Sequence, residues 1–182
     1  MLTNVLTLLL AVGFTGAEKP QAITDFAVRP QDLLRSDFDE LKDARTLSVD
    51  DLTDKDLSAV LSRIRELPNL ETLRFYSADL SRVDENDAVP AKVNAVLIAG
   101  GKISQGTIRW LAKFPKGVEL VFGGCDTRKL ELDLGEFKWV SFESCKMSPA
   151  AVAKLARNLT QVTFKECELG EEGAAETRKQ KK

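Results

Sequence analysis

Along most of this chain a pair of apolar residues two apart is followed by a polar turn, and the pairing then starts again. Leu47 and Val49, Leu73 and Phe75, Val96 and Ile98, Leu120 and Phe122, Val140 and Phe142, and Val162 and Phe164 are such pairs. Alternation at period two puts the apolar members on one face of a β-strand. Between some of these pairs the period changes to that of a helix. Leu57, Val60, Leu61, Ile64 and Leu67 carry helical spacing until Pro68 stops it, and Ile108, Trp110, Leu111 and Phe114 do the same in a later stretch. Elsewhere the linking segment breaks the helical pattern. SRVDENDAVPAK is too polar and too short for a good helix, and Leu130, Leu132 and Leu134 alternate as in extended chain. Ahead of the first pair, Pro30 opens QDLLRSDFDELKDA, where Leu33, Leu34, Phe38 and Leu41 predict one broad helical face.

The second apolar position of each pair falls at Val49, Phe75, Ile98, Phe122, Phe142 and Phe164, giving intervals of 26, 23, 24, 20 and 22 residues. A strand that recurs at such intervals predicts a stack of units, each burying its apolar side against its neighbours. The turns agree with this. VELVFGGCDT, WVSFESCKMS and QVTFKECELG place Cys125, Cys145 and Cys167 at one position of a common template, where earlier units carry Ala78 and Gly101. The first unit is read as one residue short between Val49 and Leu52.

This pattern resembles the leucine-rich repeat family, in its cysteine-containing, ribonuclease-inhibitor-like variety with the unit LxxLxLxxCxLs, over residues 44–170 in about six units. The resemblance implies an α/β solenoid, a short right-handed horseshoe with a parallel sheet on the concave face and helices or extended segments on the convex face. Residues 18–43 are then an N-terminal helical cap, and residues 171–182 a polar C-terminal tail. No F-box-like segment precedes the repeats, which disfavours a ubiquitin-ligase substrate adaptor.

Charge and the N-terminus add a compartment to this picture. The formal net charge is −2 on 182 residues, near balance, which argues against a dedicated nucleic-acid or anionic-membrane binder. Residues 1–17, MLTNVLTLLLAVGFTGA, hold an apolar run from Val5 to Phe14 and end in small residues, as a secretory signal peptide does. That run is too short to span a bilayer, so no membrane span is expected in the mature chain. Export to the periplasm or outside the cell would expose the three cysteines to oxidant, yet their common register argues for a buried ladder of packed thiols. One adjacent disulfide remains open on distance, although parallel side-chain vectors fit it poorly.

The sequence offers little for catalysis. It has no histidine, which removes the Ser/His and Cys/His nucleophile systems and the commonest zinc ligand. The acids at Asp50, Asp51, Asp54 and Asp56, and at Asp84, Glu85 and Asp87, lack the glycine and glutamate spacing of a calcium loop. Gly100, Gly101, Gly123 and Gly124 lack the following Lys-Ser or Lys-Thr of a phosphate loop, and suit strand-to-turn corners that use positive φ. Asn158, Leu159 and Thr160 form a glycosylation sequon. The expectation is a non-enzyme without cofactor or metal.

What the strands display away from the core is the remaining source of function. In the middle units the displayed residues are Ala95, Leu97, Ala99, Val121 and Gly123, edged by Arg74, Tyr76, Glu119, Trp139 and Glu143. An apolar patch rimmed by Tyr, Trp, Arg and acids fits a protein-binding surface. Arg74, Tyr76, Leu97, Val121, Trp139 and Glu143 are the expected contact residues on the concave face, and Cys125, Cys145 and Cys167 the structural ladder. The alternative is a structural envelope or matrix component that assembles through its solenoid edges.

Overall fold

The computed structural model describes residues 24–35, 38–159 and 161–169. The expected leader at 1–17, the expected tail at 171–182 and Thr160 of the sequon lie outside the described residues. Every apolar pair of the sequence becomes a strand. These are β2 (Thr46–Asp50), β3 (Thr72–Tyr76), β4 (Ala95–Ala99), β5 (Glu119–Gly123), β6 (Trp139–Glu143) and β7 (Val162–Lys165). A further strand, β1 (Asp25–Val28), precedes them. All pair in parallel in chain order, β1 to β7, as one seven-stranded sheet. In the register, Val49, Phe75, Ile98, Phe122, Phe142 and Phe164 form a single row across six strands.

One face of the sheet is dry. Leu47, Val49, Leu73, Phe75, Ile98, Leu120, Phe122, Val140 and Phe142 are each fully buried, at 0% exposure. Burying side chains of this size is worth about 1.5–3 kcal/mol apiece as an upper bound. Helices α3 (Leu57–Arg65), α4 (Gln105–Leu111) and α5 (Pro149–Asn158) send Val60, Ile64, Ile108, Trp110, Val152 and Leu155 into the same core. Phe122 stacks on Phe142 with ring centroids 5.1 Å apart, and Phe142 on Phe164 at 5.7 Å. Where the sequence lacks helical spacing the chain is irregular, and Leu132 and Leu134 still bury their side chains, at 2% exposure each. Among the described residues no helix is long and apolar enough to cross a membrane.

A recurrent turn ends the strands. Asp51, Ser77, Gly100, Gly124, Ser144 and Glu166 each follow the last residue of a strand and each adopt positive φ, between 52° and 67°. Their N–H groups point along the stack: Ser77 donates to Ala99, Gly100 to Gly123, Gly124 to Glu143 and Ser144 to Lys165, all at 2.8 Å. These bonds offset the cost of the left-handed conformation, roughly 1–2 kcal/mol for a residue other than glycine. Asp51 belongs to the series, so Leu52 stands where Ala78, Gly101 and Cys125 stand. The apparent deletion in the first unit is therefore a misalignment: Leu52 is the equivalent of cysteine, and its carbonyl accepts from Asp79 as that of Ala78 accepts from Lys102.

The N-terminal segment also departs from expectation. Helical residues are described at α1 (Pro30–Arg35) and α2 (Phe38–Leu41), with residues 36 and 37 outside the described residues, and the strand β1 precedes them. Leu33 and Leu41 are buried at 0% and 2%, whereas Leu34 is 40% exposed and leaves the predicted apolar face. Phe26 and Val28 of β1 pack against the core beside Leu47 and Val49, their register partners.

Candidate functional site

The face of the sheet opposite the core is composed of three rows, because alternate residues of each strand point away from the buried side. The first row runs Thr46, Thr72, Ala95, Glu119, Trp139; the second Ser48, Arg74, Leu97, Val121, Ser141, Thr163; the third Asp50, Tyr76, Ala99, Gly123, Glu143, Lys165. All six expected contact residues lie on this face. The register brings Arg74, Leu97 and Val121 into one row side by side. Tyr76 and Glu143 share another row, separated by the small residues Ala99 and Gly123.

Within this frame the side chains differ in what they offer. Tyr76 is 38% exposed, and with Leu34 is one of two large hydrophobic residues that project this far among the described residues. Leu97 and Val121 are half-buried, flush with their neighbours. Trp139 is also half-buried, and its indole N–H donates to Thr163 Oγ1 at 3.4 Å, diagonally across to β7. Ser141, in the middle row, is buried at 1% exposure although strand alternation points it away from the core. Ser48 is likewise withdrawn, at 8%. Glu119 lies 3.8 Å from Lys138 Nζ in an exposed pair.

The cysteines occupy the core side of the turn. Cys125 Sγ donates to the carbonyl of Ile98 at 3.7 Å, Cys145 to that of Phe122 at 3.4 Å, and Cys167 to that of Phe142 at 3.2 Å. Each thiol thus ties its own turn to the strand before it. All three are free, Cys125 and Cys145 buried and Cys167 only half-buried. The ladder is therefore less uniform than the sequence suggests, since Cys167 follows the last described strand and no described residue continues the row beyond it. Contact with Cys125 and burial push the Cys145 thiol well above the ordinary range, and burial raises that of Cys167, so both stay protonated at neutral pH.

A shallow groove of about 460 Å³ runs along the turns after β2, β3 and β4, lined by Asp51, Asp54, Ser77, Asp79, Gly100 and Lys102. Its acids are largely engaged. Asp54 pairs with Arg82 at 3.0 Å and Asp79 with Lys102 at 3.1 Å. Hydrogen bonds from Ser81, with help from Lys102, hold the Asp79 carboxyl below the usual carboxylate range. Among the described residues no group of three or more acidic or thiol side chains could hold a metal ion. Gly100 and Gly124 use positive φ as the sequence suggests, while Gly101 serves a close approach: a Cβ there would meet the Ala78 carbonyl oxygen at 2.3 Å.

Two residues of consequence escape sequence reading. Thr107, wholly buried, accepts from the Ser104 backbone N–H at 3.0 Å and donates to the Leu80 carbonyl at 2.6 Å. It looks in sequence like any surface hydroxyl at a helix start. Glu85 pairs with Arg109 at 2.9 Å, tying the irregular segment after β3 to α4. No protein-family model matches this chain, and neither a curated protein nor a solved structure is significantly similar to it.

Proposed function

We propose that this is an exported, non-catalytic leucine-rich repeat protein, a short solenoid that binds another protein through the concave side of its sheet. The observation that carries the reading is the uncovered sheet face. Five neighbouring apolar or small residues, Ala95, Leu97, Ala99, Val121 and Gly123, are edged by Tyr76, Arg74, Trp139 and Glu143, and no described element packs over them. Interface energy concentrates in Tyr, Trp and Arg side chains surrounding such a patch. The solenoid reading draws support from strands in chain order and from six register-equivalent turns of one conformation. Export rests on the apolar leader alone.

The test is comparative capture from the extracellular fraction of the source. The chain and its Tyr76→Ala, Trp139→Ala double variant are immobilised, and retained proteins are identified by mass spectrometry. A protein retained by the first and lost with the second, with both folded, supports the reading. Equal retention refutes it.

A second reading, assembly through an edge as a structural component, is favoured by one observation. Val162, Phe164, Cys167 and Leu169 are only half-buried, while their counterparts Val140, Phe142, Cys145 and Met147 are buried at 0–3%. A concentration-dependent increase in mass, abolished by Phe164→Lys, would select it.

A further inference from the structure

We infer that the uncovered sheet face is built for an extended polypeptide segment that crosses the strands with a fixed polarity of charge: an acidic residue over β3, an aliphatic residue over β4 and β5, and a basic residue over β6. The inference rests on the protein-binding reading above and adds the chemistry of the partner.

Two charges of opposite sign flank the apolar centre. Arg74 stands on β3 beside Leu97, and Glu143 stands on β6 beyond Gly123. Among the described residues neither is held in an ion pair, in contrast to Arg45, Arg82, Lys102, Arg109, Arg128 and Lys138, which all have acidic partners. An unpaired charge at the edge of an apolar patch adds little to stability, but it selects the sign of what docks beside it.

The spacing matches an extended chain. Adjacent strands are about 4.8 Å apart and successive displayed residues about 6.6 Å along a strand, which separates the Arg74 and Glu143 positions by roughly 16 Å. In an extended segment, side chains that point the same way are also about 6.6 Å apart, so residues i and i+4 span about 13 Å. Long acidic and basic side chains cover the remainder. Residue i+2 then lies over Leu97 and Val121. The implied pattern is acid, any residue, aliphatic, any residue, base, laid from β3 to β6 in either chain direction.

The outer strands fix the register. Asp50 lies opposite Tyr76 on β2, beyond the Arg74 side, and Lys165 lies opposite Glu143 on β7. A segment displaced outward by one strand would bring its acid over Ser48 beside Asp50, or its base against Lys165, both repulsive. A segment with acids at both ends meets Glu143 with one of them, and one with bases at both ends meets Arg74 with one, so each is disfavoured. Specificity of this kind comes from the penalised alternatives as much as from the favoured pairs.

The probe is a library of random twelve-residue peptides displayed on phage, selected at low ionic strength on the full chain, on the single-charge variants Arg74→Glu and Glu143→Lys, and on Leu97→Asp. All substitutions are at the sheet surface, and thermal melting verifies that each variant is folded. The parent is expected to enrich peptides with one acid and one base flanking an aliphatic residue, Arg74→Glu peptides with two bases in those places, and Glu143→Lys peptides with two acids, each set binding the other proteins at least tenfold more weakly. Peptides that bind the parent and both charge variants equally well, and are lost on Leu97→Asp, overturn the charge pairing while leaving the binding face in place. Peptides indifferent to Leu97→Asp, or none enriched at all, overturn both.

Discussion

Cys145 donates its thiol proton to the carbonyl of Phe122, 3.4 Å away on the neighbouring strand, and the same relation joins Cys125 to Ile98 and Cys167 to Phe142. The carbonyls in question belong to the row of large residues that fills the core. A thiol in this place acts as a small apolar packer and as a cross-strand donor together, which explains why the turn carries cysteine on the later strands.

Replacement of Cys145 by serine is expected to destabilise the fold by about 1–3 kcal/mol, because the shorter C–O bond draws the hydroxyl back from the carbonyls of Phe122 and Glu143, each 3.4 Å from the thiol, and leaves it desolvated. Cys167→Ser should cost clearly less, since the half-buried position admits water. Urea unfolding midpoints of the two variants provide the comparison. Equal midpoints would remove the graded burial of the ladder as a cause.

The turn geometry makes an opposed pair of predictions. At Gly101 an added methyl would meet the backbone oxygen of Ala78, which no side-chain rearrangement relieves, so Gly101→Ala should cost about 1–3 kcal/mol. At exposed Ser144, with φ of 52°, glycine removes the left-handed penalty and loses part of the gain to unfolded-state entropy. Ser144→Gly should raise stability by about 0.5 kcal/mol. Differential scanning calorimetry would register a lower melting temperature for the first and a slightly higher one for the second.

Thr107 is placed to separate a hydroxyl's hydrogen bonds from its volume. Valine fills the same space but leaves the Ser104 N–H without its acceptor and takes one of two donors from the Leu80 carbonyl, which keeps the Val83 N–H, a loss of about 1–3 kcal/mol. Serine keeps both bonds and sacrifices one methyl, costing about 1 kcal/mol. Chemical denaturation of Thr107→Val and Thr107→Ser should therefore rank serine as the better replacement, the reverse of what hydrophobic burial alone predicts.

The difference between what the sequence revealed and what it concealed follows from the range of the interactions. Val49, Phe75, Ile98, Phe122, Phe142 and Phe164 were identifiable because strand alternation is local, and the register joins those same residues. The strand β1 carries an apolar pair of the same kind, Phe26 and Val28, but Arg29 and the helix opened by Pro30 follow it where the other units have their turn, so the repeat template does not reach it. Leu52 was misplaced because its identity as the cysteine equivalent depends on the conformation of Asp51, which the residue type does not announce. Trp139 and Ser141 show the same limit on the displayed face. Alternation assigns both to the surface, yet Ser141 is buried and the Trp139 indole reaches across to Thr163, neither of which the residue types announce.

Asp126 and Arg128 supply the pH dependence most open to direct measurement. Two guanidinium contacts, at 2.9 and 2.6 Å, and the Arg128 backbone N–H at 3.2 Å hold the Asp126 carboxyl at a pKa of about 2, below the reference value of 3.8. The folded-state value is the depressed one, so the pair's contribution to stability is present above pH 3.8 and is lost as the pH falls toward 2. Both side chains are more than half exposed, at 52% and 57%, so the contribution is screened by solvent and salt. In Arg128→Ala the carboxyl loses its strongest donors, and its titration should return toward that of an ordinary aspartate. Carboxyl-carbon NMR titration of Asp126 in the two proteins measures this site alone. An unchanged midpoint in the variant would assign the depression to the turn backbone instead of the guanidinium.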